Sequence, residues 1–164
     1  MLIFIKEIST LIYWRKMKQL ANNKKAFHDY FIEKKYEAGI ELKGSEVKSI
    51  KQGKVSIKES FIGDRHGEMF IYGMHVTPFK EAYDTSSIDP TRTRKLLLHK
   101  KEIGTLIGKK SQAGYTIVPL SIYEKNGLVK VQIGLGKGKK QYDKRETIKR
   151  READRRIDRA LKNY

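Results

Sequence analysis

The sequence predicts a mainly β fold with inserted helices (α+β), closed into a small antiparallel barrel and followed by a basic C-terminal tail. Three observations carry that prediction. Short runs rich in aromatic and β-branched residues recur between turn residues across residues 22–136. Two of the breaks, His66-Gly67 and Asn126-Gly127, are two-residue hairpin signals. The last stretch, residues 137–164, holds 12 Lys+Arg and 5 Asp+Glu, a net +7, and has little apolar surface to bury.

Taken in order, Ala26–Ile32 and Tyr36–Leu42 read as two strands. Gly44-Ser45-Glu46 supplies an N-cap, and Val47–Lys51 a short helix closed by Gly53, with Glu46 in the first turn where the helix dipole favours a carboxylate. Val55–Ile62 and Glu68–Met74 flank His66-Gly67 as a hairpin. Thr77–Thr93 holds two of the three prolines and shows no periodicity, so it reads as a long loop of the functional or mobile kind. Arg94–Lys110 places Leu96, Leu97, Ile103, Leu106 and Ile107 at helical spacing and reads as an amphipathic helix broken near Gly104. Tyr115–Tyr123 and Leu128–Leu135 flank Asn126-Gly127. In the second of these strands Val129, Val131, Ile133 and Leu135 alternate with Lys130, Gln132 and Gly134, which sends one face to a core and Lys130 to solvent. Pro119 calls for an edge or a bulge. About six short strands with two helices in so short a chain favour a closed barrel of oligonucleotide-binding (OB) type over an open sheet.

The domain reading is an N-terminal extension at residues 1–21, a barrel at residues 22–136 and a tail at residues 137–164. Met1–Trp14 is apolar but interrupted by Lys6 and Glu7, too short to span a bilayer, and its basic cluster follows the apolar run rather than preceding it, unlike a signal peptide. Residues 1–16 are an unusual extension, a weak amphipathic surface segment, or the product of a start assigned upstream of Met17; the last is the favoured reading.

The net charge of +17 points to a polyanionic partner, nucleic acid before membrane. With no cysteine, the chain has no disulfides, no thiol catalysis and no cysteine-bound zinc; this suits a reducing, cytoplasmic setting. Gly134-Leu-Gly-Lys-Gly-Lys-Lys invites comparison with a phosphate loop but lacks the Lys-Ser/Thr that would hold magnesium, so it reads as a flexible basic hinge. The histidines, His28, His66, His75 and His99, lack metal-ligand spacing; His66 is a turn residue, and His28 sits beside Lys24, Lys25 and Phe27, where a ring can stack on a nucleotide. Nothing pairs Asp29, Glu33, Glu37, Glu41 or Glu46 for acid/base work. No enzyme activity, cofactor or metal is expected. Asp143 and Glu146 have capping-box spacing, and Ala153, Ile157, Ala160, Leu161 and Tyr164 form a thin apolar stripe on a helix that should fold on a polyanion.

Asn23-Lys-Lys-Ala-Phe-His-Asp-Tyr-Phe-Ile, Tyr36-Glu-Ala-Gly-Ile, Gly44-Ser-Glu-Val-Lys-Ser, Asp89-Pro-Thr-Arg-Thr-Arg-Lys-Leu-Leu-Leu and Gly138-Lys-Lys-Gln-Tyr-Asp-Lys-Arg, in that order, resemble the SsrA-binding protein family (small protein B, SmpB) of bacterial trans-translation. The resemblance runs from about Asn22 to the C-terminus. It implies an OB-type barrel that binds the tRNA-like domain of transfer-messenger RNA (tmRNA) in place of an anticodon arm, and a tail that lies in the empty decoding site and mRNA channel of a stalled 70S ribosome. Elongation factor Tu with GTP would accompany the RNA. By motif, the RNA-facing residues would be Asn23, Lys24, His28, Glu37, Arg92, Arg94, Lys95 and Lys130, with Leu97 packed beneath that face. The decoding-site residues would be Lys139, Lys140, Tyr142, Asp143, Lys144 and Arg145. Tyr142 stands where the family often has histidine; either ring can stack on a base. A structural ribosomal protein or another non-enzymatic RNA-binding translation factor is the alternative, and it would stay on ribosomes that are not stalled. An RNA-processing enzyme would need a metal or acid/base cluster.

Deleting residues 1–16 is expected to leave RNA binding and ribosome rescue intact; loss of RNA binding in the truncated protein would show that the extension is functional.

Overall fold

A computed structural model describes residues 17–81 and 88–162. The chain runs β1 (Met17–Asn22), α1 (Lys24–Asp29), β2 (Tyr30–Ile40), α2 (Gly44–Lys51), β3 (Val55–Ser56), β4 (Phe61–Arg65), β5 (Glu68–Tyr72), β6 (His75–Val76), β7 (Arg94–Leu97), α3 (Lys100–Lys110), β8 (Tyr115–Lys125), β9 (Leu128–Gly138) and α4 (Gln141–Lys162). Seven strands form one antiparallel sheet in the order β1-β8-β9-β2-β7-β5-β4, and β3 pairs with β6 apart from it. Among the described residues no helix is long and apolar enough to cross a membrane.

The sheet corrects the expectation of a closed barrel. Its outer strands β1 and β4 share no ladder, although the sheet curls until β4 packs against β8. Bulges at Gln19/Ala21, Ile32/Lys34 and Pro119/Ser121 produce that curl, each adding a residue and a local bend. The bulge beside Pro119 is the one its missing N–H calls for. Inside lies a core of Ala38, Ile50, Met69, Ile71, Leu96, Leu106, Ile122, Val131 and Ile133.

Both hairpin turns form at their turn residues, but Val55–Ile62 is not one strand: Val55–Ser56 is β3, paired with β6, and the hairpin strand β4 begins at Phe61. His66 and Gly67 have φ of 51° and 73°, and Asn126 and Gly127 have φ of 52° and 76°, the left-handed pairs that a tight hairpin needs. Residues 17–21, read from sequence as extension, instead form most of β1 along the edge of β8. Within the expected loop Thr77–Thr93, residues 82–87 lie outside the described residues, as do residues 1–16 and Tyr164.

Three local readings change for physical reasons. Ala26–Ile32 is not a strand throughout, because Asn23 caps a helix there. Its Oδ1 accepts from the Ala26 N–H at 3.2 Å, and its Nδ2 donates to the Pro119 carbonyl at 3.0 Å. Ala26 then packs on Val118 and Leu120, so tertiary docking overrides the β-propensity of Phe27. Arg94–Leu97 is a strand, not the start of a helix: Arg94 and Leu96 face inward while Lys95 and Leu97 face outward, filling the gap between β5 and β2. The helix begins only at Lys100, after the His99 N–H donates to Glu102 Oε2 at 3.1 Å. Gly134 and Gly136 do not belong to a loose hinge. They sit within β9 against the bulge of β2, where a Cβ on Gly136 would lie 2.7 Å from the Phe31 carbonyl oxygen.

The long connection is closed by a buried ion network. Glu46, in the first turn of α2 and 4% exposed, accepts from the Lys43 N–H at 2.8 Å. Arg92 reaches it through Nε at 2.9 Å and Nη2 at 2.5 Å, and Arg94 through Nε at 3.0 Å and Nη2 at 2.7 Å. Arg94 is fully buried and also donates to the carbonyls of Met74, Arg92 and Pro90. Burial pushes the Glu46 carboxyl up, but the bonds from Arg92, Lys43 and Arg94 outweigh it and hold it below the usual range.

Replacing Glu46 with Gln strands a buried guanidinium and is expected to cost about 3–5 kcal/mol in urea unfolding. The folded carboxyl is depressed, so its contribution is present above the unfolded pKa and is lost as pH falls through the folded one. The gap between native and E46Q proteins should therefore narrow in acid. Equal urea midpoints at neutral pH would refute this role.

Candidate nucleic-acid interface

Alternation along β2 sends Tyr36 and Ala38 into the core and Lys35, Glu37 and Gly39 to the outer face. The ladders then align that face across the sheet: Glu37 opposite Gln132, Gly39 opposite Lys130 and Leu97, and Lys130 opposite Tyr123. A groove of about 610 Å³ opens there, lined by Gln19, Phe27, Lys35, Glu37, Tyr123 and Lys125 among others. Glu37 Oε2 accepts from the Tyr123 hydroxyl at 2.5 Å, and Lys125 Nζ donates to both carboxylate oxygens at 3.1 and 3.2 Å. Burial raises the Glu37 carboxyl, but the bonds from Tyr123 and Lys125 and the charge of Lys130 bring it below its ordinary value, so it is an anion at neutral pH. An ionised acceptor in a basic groove can fix the cations around it and receive a base amino group.

The predicted positions separate into those the surface presents and those the fold consumes. Lys24 is exposed on α1, and Lys130 is half-buried on the outer face beside Glu37. His28, at the end of α1, is half-buried with Nδ1 2.8 Å from Asp29 Oδ1. Lys95 points outward from β7 and pairs with Glu68 at 2.6 Å. Asn23, by contrast, is 5% exposed and spends its side chain on Ala26 and Pro119. Arg94 is fully buried and cannot reach an RNA from this position, and the partly covered Arg92 is bound to Glu46. The reading of Arg94 as a direct contact is corrected on that ground, whereas Arg92 keeps 26% of its side chain exposed. Leu97 is also corrected: it is 52% exposed, not packed beneath the face, and lies over Gly39, where a Cβ would stand 3.1 Å from its own. Leu97, His99 and Lys130 share a shallow hollow with Glu37.

Sequence reading missed Tyr123, Lys125 and Phe27. The alternation of β8 held a signal for the first two, since Tyr123 and Lys125 fall on the parity opposite the core residue Ile122.

At the other end of α1 the tail is attached. The Lys139 N–H donates to the Asp29 carbonyl at 2.8 Å, and its Nζ donates to the Phe27 carbonyl at 3.1 Å and to Thr147 Oγ1 at 3.2 Å, 4.8 Å from the Phe31 ring centroid. Lys144 Nζ stands 3.5 Å from Asp29 Oδ1. The bond from His28, and then the charge of Lys144, hold the Asp29 carboxyl below its usual range against burial. Asp143 accepts from the Lys140 N–H at 3.1 Å, so it is the third residue of the helix rather than its cap. Beyond that turn, α4 buries no residue: Tyr142 is 77% exposed, and Lys140, Arg145, Ile148, Ile157 and Leu161 also face solvent. Among the described residues no group of three or more His, Asp or Glu side chains is placed to hold a metal ion.

The chain matches the family described as SmpB protein over residues 20–163. It is 57% identical over 145 residues to the SsrA-binding protein of Geobacillus sp. (strain WCH70), covering 88% of this chain and 93% of that one. It is 54% identical over 146 residues to the SsrA-binding protein of Bacillus subtilis (strain 168), covering 89% and 93%. A solved structure described as "tmRNA-SmpB: a journey to the center of the bacterial ribosome" superposes with a TM-score of 0.61 at 44% identity, covering 77% of this chain and 92% of that one.

Proposed function

The chain belongs to the SmpB protein family, and on that premise we propose that it binds tmRNA (SsrA RNA) and delivers it to stalled ribosomes in trans-translation. The observation that carries this reading is the 57% identity, over 93% of its length, with a protein named for binding SsrA RNA. The body takes the place of an anticodon arm against the tRNA-like domain. The tail enters the empty decoding site and mRNA channel, with elongation factor Tu and GTP accompanying the charged RNA. The protein is cytoplasmic and works by binding, not catalysis. We read the curled sheet as an OB-type barrel whose seam is sealed by packing of β4 on β8.

The geometry supports a division of labour. The outer face of β9, β2 and β7 offers Lys130, Glu37 and Lys95 to RNA, with Lys24 and His28 on α1 beside it. Asn23, Arg92 and Arg94 serve recognition indirectly, by holding α1 and β7 in register. A duplex-like partner is gripped mainly through shape and phosphate, so Glu37 acts by orienting Lys125 and by accepting from a base amino group. In the tail, Lys139 and Lys144 set the direction of α4 through Asp29, while Lys140, Tyr142, Asp143 and Arg145 form the end that meets the decoding site.

Binding of the purified protein to tmRNA and to an ordinary tRNA, measured across a salt series, tests the first half. Preference for tmRNA that survives moderate salt is expected; equal and steeply salt-sensitive binding to both would favour a generic basic ribosomal protein.

Truncation after Gln141 removes most of α4 but no buried residue. It is expected to leave tmRNA affinity near normal and to abolish rescue of stalled ribosomes in a reconstituted translation assay. A parallel fall in both would refute the separation of body from tail.

A further inference from the structure

We propose that Phe61 and Tyr72, at the β4 edge of the sheet, form a stacking platform for an unpaired base of ribosomal RNA beside the root of the tail. The two rings face each other across the β4–β5 ladder with centroids 5.1 Å apart and an interplanar angle of 13°. Phe61 is 59% exposed, on a strand that among the described residues ladders only with β5. The backbone around the pair is shaped by glycine. A Cβ on Gly63 would lie 3.1 Å from Tyr72 Cε2, so the bare glycine lets the ring lie close over the strand. Gly73, at φ +72°, brings the chain close under the Glu59 carbonyl just before Phe61, where a Cβ would lie 3.2 Å from that oxygen.

Beside Phe61 a hollow of about 200 Å³ is lined by Lys25, Asp29, Tyr30, Lys58 and Glu59 among others. Lys25 meets Glu59 only at 3.9 Å, with the two side chains 64% and 83% exposed, a pair weak enough to yield to a phosphate. Asp29 is already occupied by His28 and Lys144. An aromatic ring open on one side, with Lys25 and Lys58 beside it, is the arrangement that holds one splayed nucleotide: the base on the ring, the phosphate on the amines. The occupant follows from position. The hollow shares Asp29 with Lys144 of the first turn of α4, which puts the platform at the root of the tail. This rests on the proposed placement of the tail in the decoding site, which brings the hollow against the RNA of the same ribosome.

The test uses the full chain bound to tmRNA and purified 70S ribosomes, with Phe61→Leu and Phe61→Trp. F61L keeps an apolar side chain but removes the π face; it is expected to weaken ribosome binding about tenfold, with F61W close to the native protein. Affinity of the free protein for tmRNA should not change in either variant, nor should the thermal midpoint, since Phe61 is mostly exposed. Unchanged ribosome affinity in F61L, or an F61W protein as weak as F61L, would overturn the proposal. An equal loss of tmRNA affinity would move the base to tmRNA and overturn the ribosomal assignment. Failure of the tmRNA reading itself shows separately, as a native protein with no preference for tmRNA over tRNA.

Discussion

A single buried carboxylate, Glu46, holds together parts of the chain that have no ladder between them. Desolvating a carboxylate and two guanidiniums costs several kcal/mol per ion unless nearly every donor and lone pair is satisfied. Here Glu46 receives four guanidinium N–H bonds and one backbone N–H, and Arg94 spends its remaining donors on three carbonyls. That geometry exists only when α2, the Pro90–Arg94 segment and Met74, between β5 and β6, all stand in place. The network therefore selects one arrangement of the connection more than it adds net stability. It also pins Arg94 at the head of β7, and so sets the register that puts Leu97 over Gly39 and Lys95 on the outer face.

An open but curled sheet has consequences that a closed barrel would not. Among the described residues two edges stay unpaired, and an unpaired edge invites association with another chain. The β4 edge is guarded by charge: Asp64 is tied to Lys110 at 2.7 Å, and Arg65 and Glu68 face each other at the turn. The β1 edge is bent by its bulge at Gln19/Ala21 and flanked by Lys18. Curling the sheet without closing it brings the two ends near one another while leaving the outer surface continuous from the Glu37 groove to the Phe61 ring. One sheet surface thus carries the Glu37 groove on β2 and β8 and the Phe61–Tyr72 pair on β4 and β5.

What could be read in the sequence was what short-range chemistry decides. Asn126-Gly127 and His66-Gly67 specify their turns locally, and Glu46 marks a helix start whatever surrounds it. Long motifs in order carried the family. The outcomes that escaped depend on distant partners. The fate of Ala26–Ile32 hinges on Asn23 meeting Pro119, 96 positions away. Leu96 and Leu97 suit a helix and a strand equally until β5 and β2 flank them. Basic residues in an RNA-binding motif invite the reading of direct contact, yet Arg94 is inside because Glu46 is. The Glu37–Tyr123–Lys125 cluster needs a β2–β9–β8 register that no local pattern states. The OB barrel was expected closed because strand count is legible in a sequence, whereas closure depends on how far each bulge bends a strand.

The short helix α1 joins the two halves of the protein's work. It carries Lys24 and His28 toward the RNA face, and its last residue, Asp29, holds Lys139 by the backbone and Lys144 by the carboxylate. A helix of 6 residues has almost no stability of its own. It stands because Asn23 caps it onto the β8 bulge and Ala26 packs on Val118 and Leu120. The tail contributes nothing to the core and gains no direction from packing, since α4 buries none of its residues. Among the described residues its departure angle is set at the end of α1, by Asp29 and by the contacts of Lys139 with Phe27, Phe31 and Thr147. Any change that loosens the Asn23 bond to Pro119 acts on RNA recognition and tail direction together, while a cut beyond Gln141 acts on neither the cap nor the core.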